Sequence, residues 1–535
     1  MLLLLLAACG APERLGPGDA GVRYTLYETL RDEVAGQARL LRTDDGWSEW
    51  IELDVDGAPG ASREATLRVD EGGVRALDAV HRRGRAWTQT GLAWSAAGFA
   101  VTHRRGLALR HVAAEGPRGA VVEGGDIGEG PGFGGGLALW AWLASSRQVG
   151  EIEAFDPYLS ATVPLSVEVR ERRGLVSTEG LVSARRLFVR TAAEGHTLWV
   201  AEADDALLAV DHVAGRQAIR DDITLPVTVA RPQPPGVVER PLRVERDGVT
   251  LAGVVDTPRE VDGPPPRVVL IHGSGPGDRD GNFGALHTWL FRELGLRLAQ
   301  AGFAVARYDK RGVGESTPTV DDLPVTLQDL TGDVAAVQDA VGGGCHFLVG
   351  HSEGGMIAPL RASQDPRVKG VVMLGGPAAA LDRILLDQLR LILAAHGLPA
   401  SFIEEAARSQ QAMLRSVAAG RERDLGAMPL GGKRSTDWLR SHMNHDPAET
   451  LRQLDVPVLA LYAAEDLQVP PEQADVARAL LADNPQAEVR VVPGVDHLLM
   501  PVEKWPGMGI YADPDRAVSE GVLDAVVAWL SRQPC

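Results

Sequence analysis

Two hydrophobic patterns divide the 535-residue chain. From about Gly21 to Ile223, apolar and polar residues alternate, as in Trp50-Ile51-Glu52-Leu53-Asp54-Val55, Ala65-Thr66-Leu67-Arg68-Val69, Leu165-Ser166-Val167-Glu168-Val169-Arg170 and Arg186-Leu187-Phe188-Val189-Arg190. A period of two puts every second side chain on one face, so these stretches predict half-buried antiparallel strands. Asp56-Gly57 and Glu71-Gly72-Gly73 supply turns between them, Gly130 to Gly136 reads as loop, and Leu137 to Ser146 as a short helix. Seven of the eleven tryptophans fall in this half, but its His and Asp residues are scattered and form no catalytic constellation.

After the stiff linker Arg231-Pro232-Gln233-Pro234-Pro235-Gly236 the pattern changes. Short, continuous apolar runs now alternate with segments of helical spacing, which predicts an α/β domain with buried parallel strands. A hairpin comes first, Pro241 to Glu245 and Thr250 to Val255, turned at Asp247-Gly248. Strands follow at 267–271, 304–308, 345–349, 368–374, 456–461 and 488–492. Helices are expected near 285–301, 327–341, 356–362 and 517–530. A helical insert from about 379 to 446 interrupts the alternation. The implied organisation is a leader at 1–9, a tether at 10–20, a β-rich domain at 21–230, the linker at 231–236 and an α/β domain at 237–535.

The chemistry sits at strand ends of the second half. Gly350-His351-Ser352-Glu353-Gly354 has the form G-x-S-x-G between a strand and a helix. Glycines there permit a sharp bend that pushes the Ser352 hydroxyl out at the top of the sheet and leaves the Glu353 N–H at a helix N-terminus, facing developing negative charge. A serine hydroxyl needs a base, and the base needs an orienting carboxylate. In such folds the chain order is serine, carboxylate, histidine. Asp466, just past the strand that ends near Leu461, and His497, past the next, fall in that order at the carboxyl ends of strands, where sites form. Glu465 competes with Asp466. Asp496, His442 and His445 compete in residue type only. Arg279, Asp280, Asp309 and Arg311 read as loop-fixing ion pairs, and His272 as a structural support.

Taken together, the stretches His272-Gly273-Ser274-Gly275-Pro276-Gly277-Asp278-Arg279-Asp280-Gly281, Gly350 to Gly355, Asp466-Leu467-Gln468-Val469-Pro470 and Asp496-His497 resemble the α/β-hydrolase superfamily. The resemblance runs from about Val237 to Leu530 and is closest to bacterial serine esterases with a helical lid. It implies Ser352 as nucleophile, His497 as general base and acid, Asp466 as its orienter, and an oxyanion hole from the backbone N–H groups of Glu353 and Ser274. Asp496 and Leu499 depart from it, since relatives often carry Asn and an aromatic there. A serine in the elbow argues against relatives with an aspartate nucleophile. The expected reaction is hydrolysis of a small-molecule or lipid carboxylic ester. Peptidase, thioesterase or acyltransferase chemistry on the same triad is the alternative, as is a lipid-binding lipoprotein with an inactive hydrolase half. The long strands of the first half loosely resemble the curved antiparallel sheets of envelope lipoproteins that cradle lipids.

Charge and cysteines narrow the setting. A net charge of −18 argues against binding nucleic-acid phosphates. No metal-ligand spacing or nucleotide fingerprint occurs, so neither metal nor cofactor is expected. Cys9, Cys345 and Cys535 show no pairing by spacing, which predicts no disulfide framework and an inert core thiol at Cys345. Met1 to Cys9, MLLLLLAAC, resembles a bacterial lipoprotein signal with its lipobox, though without the basic segment in front. That resemblance implies cleavage before Cys9, a lipid on its sulfur, membrane attachment through the lipid anchor, and a location in the cell envelope.

Overall fold

The computed structural model describes residues 21–535 except 29–32, 45, 54–60, 71–72, 84–85, 96–97, 106–107, 115–119, 122–135, 157–160, 193–194, 213–215, 227–233, 261–262, 284–285, 318–324, 422–431 and 503–506. The expected leader, the tether and residues 231–233 of the linker lie outside the described residues. The chain forms two compact units. The first comprises residues 1–229 together with 508–513, and the second comprises 230–507 with 514–535.

The first unit is one large sheet, a meander in which almost every neighbour is antiparallel. Its two arms meet where Val22–Glu28 pairs with Arg216–Arg220. The helix Gly136–Ser146 is apolar nearly all round and buries Trp140, Leu143 and Ala144. Residues from both arms share a cluster with it, including Leu40, Ile51 and Leu67 from one and Leu165, Leu187, Leu198 and Val200 from the other. A flat sheet could not bring both arms to one helix, so the sheet curls around it. The concave face is therefore filled by side chains where it is described. Arg185 caps the helix by donating to Ala144 O at 3.0 Å while pairing with Asp205 at 2.7 Å.

Residues 508–513 were expected to belong with 237–535, but they pack in the first unit. Their short helical turn, Met508–Ala512, lies against the strand Gly195–Ala201, and Gly509 N donates to Ala192 O, ahead of that strand, at 3.2 Å. A Cβ on Gly195 would stand 2.3 Å from Gly509 O, so only glycine permits this approach. Arg170 and Asp513 close the contact with an ion pair of 2.7 Å.

The second unit is an eight-stranded sheet, numbered here within the unit: β1 Val237–Arg246, β2 Val249–Pro258, β3 Arg267–Ile271, β4 Ala304–Tyr308, β5 His346–His351, β6 Val368–Leu374, β7 Val458–Ala463 and β8 Ala487–Val492. Its order is β1-β2-β4-β3-β5-β6-β7-β8. Only β2 runs against the others, antiparallel to both β1 and β4, and the strands from β3 to β8 are parallel. Asp247 and Gly248, both at positive φ, make the tight turn of that hairpin.

The helices of this unit are α1 Leu290–Gln300, α2 Leu327–Ala340, α3 Gly354–Ala362, the insert helices α4 Leu381–Ala395, α5 Ala400–Ala418 and α6 Gly432–Met443, then α7 Pro447–Arg452, α8 Gln473–Leu480 and α9 Glu520–Leu530. A capping box at Thr326 and Asp329 fixes the start of α2. Because β3 to β8 are parallel, the loops that leave them gather at one edge of the sheet, and the candidate residues lie in those loops.

One expectation about the cysteines is overturned. Cys345, just before β5, is joined to Cys535, beyond α9, by a disulfide with Cα atoms 5.6 Å apart. The partners are 190 residues apart. A pair at that separation leaves no local spacing pattern, and only the fold brings the two ends together.

Candidate active site

The loop after β5 is a strained elbow. Ser352 has φ of 54°, in the left-handed region that non-glycine residues seldom occupy. Its N–H donates to Leu374 O at the end of β6 at 2.8 Å, which pins the bend against the sheet. The flanking glycines are steric necessities. A Cβ on Gly350 would meet Gly354 O at 1.9 Å, and one on Gly354 would meet Ile271 O at 2.1 Å.

Asp466 and His497 come together at the ends of the next strands. His497 Nδ1 donates to Asp466 Oδ2 at 2.7 Å, with both residues buried. Asp466 Oδ1 accepts from the N–H groups of Gln468 at 2.7 Å and Val469 at 2.8 Å. The carboxylate thus has one oxygen fixed by its own turn and the other left for the imidazole. Gly375, at φ 57°, passes beside the pair, where a Cβ would lie 3.5 Å from both Asp466 Oδ2 and His497 Nδ1. Behind the elbow, His351 Nε2 donates to His497 O at 2.8 Å and its ring lies 4.9 Å from the His497 ring. Burial holds His351 neutral, with its pKa depressed to about 3.

The rival residues find other work. Asp496 takes the N–H groups of Leu498 and Met500 on one oxygen and Arg516 on the other, so it shapes the turn that presents His497. Leu499, at φ 59° and fully buried, completes that turn. Arg279 binds Asp309 and Glu315, Asp280 binds the fully buried Arg307, and Arg311 binds Asp333. These are ion pairs between loops and elements, as their sequence positions implied. His272 donates from Nε2 to Tyr308 O at 2.6 Å, tying the loop after β3 to the end of β4. Burial lowers its pKa to about 4.

Ser274 stands exposed in the loop after β3. Its neighbour Gly273 is close to the elbow, since a Cβ there would be 3.1 Å from Ser352 Cβ. Glu353 follows the serine and is buried. Its carboxylate accepts from Lys310 Nζ at 2.6 Å and Trp438 Nε1 at 2.5 Å, and His442 Nε2 lies 2.8 Å away. Burial alone would raise its pKa, but Lys310 and His442 together outweigh burial and hold the carboxyl well below the usual range.

Lys310, Trp438 and the side chain of Glu353 were not anticipated in these roles. The available signal was the position of Lys310, directly after the end of β4, between two charged residues already singled out. A small pocket adjoins the elbow, lined in part by His272, Gly273, His351, Leu498, Phe283 and Phe291. Among the described residues, no group of three His, Cys, Asp or Glu residues is arranged to hold a metal.

Residues 268–505 match the model of the alpha/beta hydrolase family. The matched region spans most of the second unit. Over 336 residues the chain is 28% identical to esterase EstD of Thermotoga maritima, covering 61% of this chain and 76% of that protein. A shorter match of 133 residues, 33% identical, links it to epoxide hydrolase B of Mycobacterium tuberculosis and covers 25% of this chain and 34% of that protein. Among solved structures, the chain aligns with Est1E from Butyrivibrio proteoclasticus bound to ferulic acid, at 18% identity and a TM-score of 0.36, over 55% of this chain and 98% of that one.

Proposed function

We propose that the second unit is a serine hydrolase of carboxylic esters. The observation that carries this reading is the buried His497–Asp466 pair and, at the same edge of the sheet, a serine held in a strained elbow. The similarity to EstD over most of that esterase's length supports the ester class. In the proposed cycle, His497 Nε2, opposite the nitrogen bound by Asp466, takes the Ser352 proton as Oγ attacks the ester carbonyl. The carbonyl electrons move onto oxygen, which receives hydrogen bonds from the Glu353 and Ser274 N–H groups. The intermediate collapses with release of the alcohol, protonated by His497. Water, deprotonated by the same imidazole, then attacks the acyl-enzyme and frees the acid. Each oxyanion donor is expected to lower the barrier by about 3–4 kcal/mol.

The insert helices α4 to α6 fit a lid over this site, because α6 reaches the elbow through Trp438 and His442. The envelope setting inferred from Met1 to Cys9 gains support from the disulfide, since such bonds persist in oxidising compartments. Among the described residues no helix is long and apolar enough to cross a membrane, and attachment is proposed through Cys9.

Labelling with a fluorophosphonate probe tests the core of the reading. Wild type should label, while Ser352→Ala and His497→Ala should not. Ester hydrolysis undiminished in Ser352→Ala would sink it. A panel of p-nitrophenyl esters of increasing length, beside an anilide and a thioester, then separates esterase from peptidase and thioesterase.

A further inference from the structure

Lys310 is 6% exposed and directs its ammonium at two loops. Nζ donates to Gly273 O at 2.9 Å and to Glu353 Oε2 at 2.6 Å. Each acceptor belongs to one side of the oxyanion hole in the reading above, on which this inference rests. The Gly273 carbonyl and the Ser274 N–H share a single peptide unit. A trans peptide is planar, with C=O and N–H on opposite edges. Fixing the Gly273 oxygen on Lys310 therefore turns the Ser274 N–H to the opposite side. The second donor is the N–H of Glu353 itself, and Glu353 is held through its carboxylate by the same ammonium.

Lys310 is itself well fixed. Its N–H donates to Gly277 O at 3.1 Å, and the adjacent Asp309 accepts from the N–H groups of Arg279 and Glu315. A cation on a peptide oxygen also polarises that peptide, which makes its N–H a better donor. We propose that Lys310 is a positioning residue of the oxyanion hole, orienting and polarising the peptide that carries the Ser274 N–H while holding Glu353. The plainer possibility is that Lys310 is only the counter-ion of a buried glutamate.

The two roles separate in a comparison of p-nitrophenyl acetate with its thiono analogue, in which sulfur replaces the carbonyl oxygen. Sulfur accepts hydrogen bonds poorly, so turnover of the thionoester depends little on the hole. Lys310→Met should lower kcat for the oxygen ester about 10- to 100-fold, less than outright removal of a donor. KM should change little, and thionoester turnover should fall far less, so the ratio of the two rates collapses. Because Lys310→Met leaves Glu353 short of a partner, Lys310→Met/Glu353→Gln is measured beside it, each at a folded fraction checked by circular dichroism. The double variant still lacks the tie to Gly273 and should show the same collapse. An unchanged ratio in Lys310→Met, or a wild-type ratio restored in the double variant, would overturn the inference alone. A wild type inert toward both esters, or Ser352→Ala with full turnover, would remove the hydrolase reading and this inference with it.

Discussion

Asp466 spends one oxygen on its own loop and the other on His497. Replacing it with Asn keeps the shape but offers an amide that can donate to the imidazole, favouring the wrong tautomer. Asp466→Asn should lower kcat by about 10³- to 10⁴-fold with the fold intact; a drop under tenfold in p-nitrophenyl ester turnover would assign the orienting role elsewhere. The buried histidines make a separate statement about acid. His272 and His351 have pKa values lowered to about 4 and about 3, against an unfolded value near 6.5. Between those limits the unfolded chain binds the protons and the folded chain does not, so stability falls as pH drops below about 6.5. Each histidine contributes a slope of up to about 1.4 kcal/mol per pH unit. Denaturant titrations at pH 7, 6 and 5 should show the decline, and His351→Asn should flatten it. Glu353 acts in the same direction at lower pH, since a carboxylate with a depressed pKa loses its contribution as pH falls below the ordinary carboxylate range.

At the scale of elements, the insert meets the elbow through Trp438 and His442. Trp438, on α6, donates to the Glu353 carboxylate, and Ser441 Oγ accepts from the N–H of Leu327 at the start of α2. Trp438→Phe keeps the ring and removes the donor, so it should destabilise the second unit by about 1.5–3 kcal/mol, the range for a hydrogen bond to a charged group. A chemical-denaturation midpoint equal to wild type would show that the insert is held by other contacts. Much of the α/β half was legible in the chain. Strands at 267–271, 304–308 and 368–374 match the structure because buried parallel strands are unbroken apolar runs, and α2 starts at Leu327, where Thr326 caps it. The loops after β5, β7 and β8 could be read because their turns have composition as well as position. Lys310 and Glu353 could not be paired from sequence, since a buried ion pair between two loops has no period. In the first half, alternation gave strands but not the pairing of Val22–Glu28 with Arg216–Arg220, which depends on how far the sheet curls.

For the whole molecule, the disulfide is a covalent tie between residues 190 positions apart in the second unit. It links the approach to the elbow with the segment after α9, a helix whose last residues, Trp529 and Leu530, are buried. Cross-linking residues so far apart mainly restricts the unfolded chain. Cys535→Ser, or reduction of the wild type, should lower stability by about 2–4 kcal/mol, read as a drop in melting temperature. Melting curves that coincide with and without reductant would mean the bond adds no stability. Residues 508–513 bear on a different matter, the dissection of the protein into fragments. The chain leaves the first unit, builds most of the second, returns to complete the first, and goes back. Neither unit is therefore one continuous piece of polypeptide. A fragment ending at 229 lacks the turn that packs on Gly195, and a fragment beginning at 230 carries that turn away from its partner strand. After a single cut between them, the first unit is whole only as a complex of two chains, so its fragments should co-purify under native conditions.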